Sequence, residues 1–340
     1  MKRKSASKTR KRRRMKSGVS SKAKKLLSNP RSTGGVGFHF EAHVQASFVA
    51  LMLTGGYAPA LPCWPIRQVK LQGKIDGFDT DDLVVYVRNG NTREECKLLG
   101  QIKHSIGFTK GNTVLAEVMY AAWSDFNNTV LFDKRKDAIA LITGPLNETD
   151  AHNVVWLLDQ ARHTKDSAEF FRNVNQTRFS PSKAKEKLDV FRHHLKGANG
   201  NKKVADEVLY IFLNRFYLLG YDLGKEVGVV LSLLHSHISQ FNSSYPQWAW
   251  SRVVDIVETW NQDAGTVTLE KLPQDLRDAF KQRPAASIPA EYVKPDVPRS
   301  TSSLTAQVSP LALAIAALVG QWDESNESDL DVIKRLIDGL

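Results

Sequence analysis

Leu83-Val84-Val85-Tyr86-Val87 is a near-continuous apolar run of strand length, the pattern of a strand covered on both faces. A second run, Lys97 to Lys103, follows across Arg88-Asn89-Gly90-Asn91, whose Asn-Gly pair is a hairpin signal. Ile66 to Leu71 and Ala138 to Thr143 read as two further strands. Between residues 36 and 53 the spacing changes: Phe38, Val44, Phe48 and Leu51 to Leu53 supply a rough helical face, which Gly55-Gly56 stops. An amphipathic helix is expected around Val114 to Phe126. Strands and helices mixed in this order predict an α/β fold with a mixed sheet.

Beyond residue 150 the pattern becomes helical, with few candidate strands. Helix-compatible spacing covers Asn153 to Arg162, Ala168 to Val174, Ser180 to Leu195, Val204 to Leu219, Glu226 to Phe241, Pro246 to Asp263 and Pro273 to Phe280. Ser180-Pro181 reads as a cap with a first-turn proline, and Gly197 as a stop. Tyr210, Phe212, Phe216, Tyr217 and Tyr221 read as a packed aromatic core rather than a base-stacking platform. His193-His194 and His235-x-His237 have no ligand-type residues beside them in sequence and read as ordinary histidines. Gly220 to Glu226 echoes a phosphate-binding loop, but Glu226 stands where Ser or Thr would hold magnesium.

The chain has 340 residues and 42% hydrophobic content, enough for about two domains. The expected organisation is a tail over residues 1–33, an α/β domain over 34–150, a mostly α-helical domain over 151–282, a Pro-rich linker over 283–309 and a short helical and acidic segment over 310–340. No apolar stretch is long enough to span a bilayer, and the N terminus has no signal-peptide apolar region, so a cytoplasmic location is expected. Two cysteines, Cys63 and Cys96, form no zinc site by themselves and fit a reducing compartment. The net charge of +11 is concentrated in the first 25 residues, from Lys2-Arg3-Lys4 through Arg10-Lys11-Arg12-Arg13-Arg14 to Lys24-Lys25. Such a block repels itself and favours a polyanion, with strongly salt-dependent affinity. A localisation signal and an RNA-binding arm are the competing readings.

The candidate chemistry lies where the strands begin and end. Asp79-Thr80-Asp81-Asp82 is an acidic turn opening the first buried strand, and Gln101-Ile102-Lys103 closes the second. With a period of two, Gln101 and Lys103 share one face and Ile102 goes to the core. A carboxylate at one strand's mouth and a polar-x-Lys at the next strand's end can meet on one sheet edge. There they could hold a divalent cation against a phosphodiester. Asp82 directly precedes the apolar run and is the first choice of ligand, with Asp81 and Asp79 competing. The plainer alternatives are a solvated turn for Asp82 and an edge-strand lysine for Lys103.

These residues, with the helix opened by Gly34 to Glu41 and the strand Ala138 to Thr143, occur in the order of the PD-(D/E)xK restriction-endonuclease-like superfamily. The chain resembles its Q-x-K variant over roughly residues 34 to 145, as in the N-terminal duplex-DNA nuclease domains of bacterial antiphage STAND NTPase proteins. The resemblance implies a restriction-endonuclease-like α/β/α core and Mg²⁺ or Mn²⁺ held by Asp82, Gln101, the Ile102 carbonyl and Glu41, with Lys103 beside the reacting water. Gln101 replaces a carboxylate, and Glu41 is where the family often restores the charge; an exposed helical carboxylate is its plainer reading. The implied function is a metal-dependent endonuclease on double-stranded DNA, acting in antiphage defence, as a homo-oligomer and with a STAND-type NTPase as partner. The alternative is a non-catalytic nucleic-acid-binding sensor or adaptor that keeps the fold.

Overall fold

The computed structural model describes residues 35–281 except 177, 225–227 and 242–244. The expected basic tail, Pro-rich linker and C-terminal segment, and part of Gly220 to Glu226, lie outside the described residues.

In chain order the elements are α1 (Gly35–Leu53), β1 (Ile66–Leu71), β2 (Leu83–Arg88), β3 (Glu95–Lys103), α2 (Thr113–Asn127), β4 (Ala138–Thr143) and α3 (Glu148–Asp150). A π-helical turn, Ala151–Val155, carries α3 into α4 (Trp156–His163). Then follow α5 (Ser167–Asn175), α6 (Ala184–Ala198), α7 (Asp206–Arg215), β5 (Phe216–Gly220), α8 (Val229–Ser239), α9 (Pro246–Asn261), β6 (Thr266–Thr268) and α10 (Gln274–Ala279). No helix among the described residues is long and apolar enough to cross a membrane.

The six strands form one mixed sheet in the order β5-β4-β3-β2-β1-β6. β3, β4 and β5 run parallel, while β2 is antiparallel to both β1 and β3. Alternation along each strand divides the core. Val85, Leu98 and Ile142 face a layer built from α1, α8 and α9, where Phe48, Val253 and Val257 are buried. Val84, Leu99 and Leu141 face the opposite layer with Val118, Phe126, Phe191 and Phe212. Of the expected aromatic core, Tyr210, Phe212 and Phe216 lie there, with Phe212 stacked on Phe216 and edge to face on Phe126, whereas Tyr217 and Tyr221 pack in the opposite layer.

Several element boundaries differ from the sequence reading. The helix expected over Val204 to Leu219 ends at Arg215, and Phe216–Gly220 becomes β5. Phe216 and Leu218 enter one layer while Tyr217 and Leu219 touch the other, so this short run satisfies a period of two once β4 offers a parallel edge. β6 was not expected either. The sheet therefore runs across the boundary expected near residue 150. Ser180-Pro181 does not cap α6, because the Lys183 amide is taken by Asn153 Oδ1 at 3.0 Å and the helix opens at Ala184. That helix runs through Gly197 to Ala198. β2 and β3 do pair as an antiparallel hairpin, but its connection is longer than Asn-Gly alone: Asn89 Oδ1 accepts the Asn91 and Thr92 amides, and β3 begins at Glu95.

Candidate functional site

β2 begins where β3 ends, and this register brings Asp82 against Gln101, Ile102 and Lys103. Leu83 pairs with Gly100, so the carboxylate one residue earlier lies beyond the end of the β2–β3 ladder, where the last β3 residues pair with β4 on one side and no longer with β2 on the other. Asp82 Oδ2 accepts the Ile102 amide at 2.6 Å, the Lys103 ammonium at 3.3 Å and the Gln101 amide nitrogen. Among the described residues nothing donates to Oδ1. The N–H and C=O of an extended residue point to the same side. The Ile102 carbonyl therefore faces the Asp82 side too, while its side chain is buried in the α1 layer as the period of two requires. β3 is an interior strand, so Lys103 is not an edge-strand lysine.

Of the neighbouring carboxylates of the turn, Asp79 has other partners. Asp79 pairs with Lys74 and accepts Ser124 Oγ at 2.6 Å. The turn is clamped from α2, where buried Asp125 accepts the amides of Asp79 and Thr80 at 2.9 and 2.6 Å. This clamp directs Asp82 toward β3. Asp81 stays half-buried beside it, its pKa pushed up to about 6 by burial and then by the charge of Asp82.

Glu41 reaches the same end of the sheet from α1 and is half-buried rather than exposed. Three neutral amides hold it, all through Oε1: Gln72 at 2.7 Å, Asn261 at 3.1 Å and Gln45 at 3.2 Å. Gln45 Nε2 also donates to the Asp82 carbonyl at 2.7 Å and lies 3.3 Å from Asn261 Oδ1. One amide has two protons, so the shorter contact to Asp82 dominates. Gln45 is fully buried, and its Oε1 has no hydrogen-bond partner among the described residues. Burial pushes the Glu41 carboxyl up to about 7, with the Asp82 charge adding to it; the Asn261 bond and the Lys103 charge pull the other way.

Asp82, Gln101, Lys103, the Ile102 backbone and Glu41 thus converge, as the sequence grouped them. The sequence reading missed Gln45, Gln72 and Asn261. Gln45 follows Glu41 by one helical turn and was open to detection; Asn261 arrives only because α9 packs on α1. Among the described residues no group of three or more His, Cys, Asp or Glu side chains is placed to hold a metal ion. A cation here would rest on two carboxylates and neutral oxygens. The histidine pairs lie elsewhere: His194 Nε2 is 2.9 Å from the Thr109 carbonyl, and His237 Nε2 is 2.9 Å from Thr54 Oγ1.

No family model matches this chain, and no curated protein does. Solved structures of the Acinetobacter baumannii Cap4 SAVED/CARF-domain containing receptor do show similarity. The form with the cyclic trinucleotide 3'3'3'-cAAA gives a TM-score of 0.39 at 12% identity, over 72% of this chain and 46% of that one. The receptor described without a trinucleotide gives 0.39 at 11% identity, over 72% and 45%. The form with 2'3'3'-cAAA gives 0.38 at 10% identity, over 68% and 43%. The chain thus spans less than half the length of these structures, and a likeness this weak transfers no function.

Proposed function

We propose that this protein is a metal-dependent endonuclease that hydrolyses phosphodiester bonds of double-stranded DNA, built on a restriction-endonuclease-like core. One observation carries the reading. Asp82 and Glu41 meet at one sheet end, each with one oxygen saturated by three donors and the other without a donor among the described residues. With the Ile102 carbonyl and the Gln101 amide oxygen, this is the hard oxygen donor set that suits Mg²⁺ or Mn²⁺. Such a cation would neutralise charge on the phosphate and lower the pKa of a bound water.

The protein's own groups have separable tasks. Gln101 and the Ile102 amide fix the rotamer of Asp82, and Gln45, Gln72 and Asn261 fix Glu41. Lys103 supplies a positive charge beside Asp82, where it orients the attacking water or stabilises charge developing on the phosphate. The antiphage role, the pairing of two copies to cut both strands and a STAND-type NTPase partner rest on the family resemblance alone.

The test is conversion of supercoiled plasmid by the full chain with Mg²⁺ or Mn²⁺, with and without EDTA, beside Asp82→Ala and Lys103→Ala. Metal-dependent nicking or linearisation that both variants lose supports the reading. Cleavage by Asp82→Ala at the parent rate, or cleavage indifferent to EDTA, rejects it. The second reading, a nucleic-acid-binding sensor that does not cut, is favoured by the shortage of carboxylates where Gln101 replaces one. DNA binding with no cleavage under either metal would select it.

A further inference from the structure

Beyond Lys103 the chain runs through residues 104–112 to α2, and α6 pins this connection from the other side. Buried Lys187 donates from Nζ to the Phe108 carbonyl at 3.1 Å and lies 2.8 Å from Asp150 Oδ1. His194 donates from Nε2 to the Thr109 carbonyl, since a carbonyl can only accept. Lys110 is therefore held at a fixed place against α6. Between them lies a cleft of about 250 Å³ lined by Lys110, Asp189, Arg192, His193, Lys196 and Lys203.

Its charge is unbalanced. Arg192 is engaged by Asp189 at 3.6 Å and Asp206 at 3.2 Å. Lys110, Lys196 and Lys203 are exposed and, among the described residues, have no carboxylate within ion-pair distance. Three separate segments (the connection after β3, α6 and the turn after it) thus bring three free ammonium groups to one cleft. Exposed lysines hold a small free anion weakly, because water screens each contact. A polyanion is different, since each neutralised phosphate releases counterions and the contacts add along the polymer.

We propose that this cleft binds the phosphate backbone of the nucleic acid on which the Asp82–Lys103 site acts, as a flanking contact outside the cleavage centre. The inference rests on the nuclease reading for its substrate, and its geometry suits that substrate. Lys110 follows Lys103 by seven residues, so their Cα atoms lie at most about 25 Å apart. A duplex therefore needs to extend at most about seven base pairs, at roughly 3.4 Å each, to reach from one to the other. Gln101 and Lys103 continue the alternation of Leu99 along β3, and Phe108 of the connection is buried in the same layer as Leu99.

The experiment is binding of a short labelled duplex by the full chain in EDTA, across a salt series, for the parent, the triple variant Lys110→Gln/Lys196→Gln/Lys203→Gln and the corresponding triple Lys→Arg variant. The glutamine variant should lower the log–log salt slope by roughly 2 to 3 units and the affinity near physiological salt by about a hundredfold. The arginine variant should keep both, and the exposed positions should leave the melting temperature in place. A parental slope in the glutamine variant overturns the proposal. So does a variant that loses only the binding of inorganic tripolyphosphate, which would make the cleft a free-anion site. A parent that cuts plasmid but shows no contribution from these lysines sinks the inference and leaves the nuclease reading intact; lysine-dependent binding by a parent that never cuts does the reverse.

Discussion

Asn261 donates from Nδ2 to Glu41 Oε1 at 3.1 Å, across 220 residues of chain. The first helix of the sheet domain and the last long helix of the described chain therefore share one carboxylate. Residues 35–145 do not hold the whole sheet, which takes β5 at one edge and β6 at the other, and α1 shares its core with α9. A fragment of residues 34–145 is expected to aggregate or to lack a cooperative thermal transition. A sharp melt and Mg²⁺ binding by that fragment would contradict this. In the full chain, Asn261→Ala should weaken Mg²⁺ binding in calorimetry while the fold survives.

Asp82 raises the Glu41 pKa through its charge. Asp82→Asn keeps the shape of the side chain but removes that charge, so the Glu41 carboxyl should titrate lower than in the parent, as read by ¹³C chemical shifts of the side-chain carboxyl. An unmoved titration would show that the two groups are not electrically coupled, and the shared-cation reading would lose its basis. Some stability should also be lost, because the Ile102 amide and Lys103 now meet a weaker acceptor.

The pH dependence of stability has a definite sign. Glu41 goes from 4.5 to about 7 on folding, so without metal its contribution is fully present below pH 4.5 and is lost as pH rises through 7. Asp81, pushed from 3.8 to about 6, acts in the same direction over a lower window. Glu41→Gln should therefore stabilise the metal-free protein at pH 8, by up to about 3 kcal/mol, and much less at pH 5. Urea denaturation at the two pH values in EDTA checks this, and equal effects at both would refute it. Adding Mg²⁺ at pH 8 should stabilise the parent more than the variant.

The basic arm precedes the described residues, but its effect is measurable. Deleting residues 2–16 removes ten lysines and arginines. The full-length protein should bind DNA more tightly and with a steeper salt dependence than the truncated one, while both cut at saturating DNA. Identical salt slopes would assign the arm to another purpose.

Asp82, Gln101, Ile102 and Lys103 could be grouped from sequence because strand period and strand order are local information, and the register of a hairpin joins its ends. The choice among Asp79, Asp81 and Asp82 was less legible: it depends on Asp125, whose clamp on the turn comes from a helix 45 residues beyond Thr80. Gln72 follows β1 in a left-handed conformation, φ 57°, which turns its amide toward Glu41, and nothing in its neighbours announces this. β5 was hidden because four apolar residues after a helix fit either period, and only the waiting edge of β4 decides between them.

The placement of Asn261 also sets a schedule. Residues 82 to 103 leave the ribosome long before α9 and β6 do, and synthesis of the intervening 103–268 stretch takes roughly 10 to 30 s at about 5–20 residues per second. Until then Glu41 lacks one of its three amide donors and β1 lacks β6 at its side. A chain whose synthesis stops before α9 therefore holds Glu41 by two amides instead of three, while the Asp82 contacts to Gln101, Ile102 and Lys103 need nothing beyond β3.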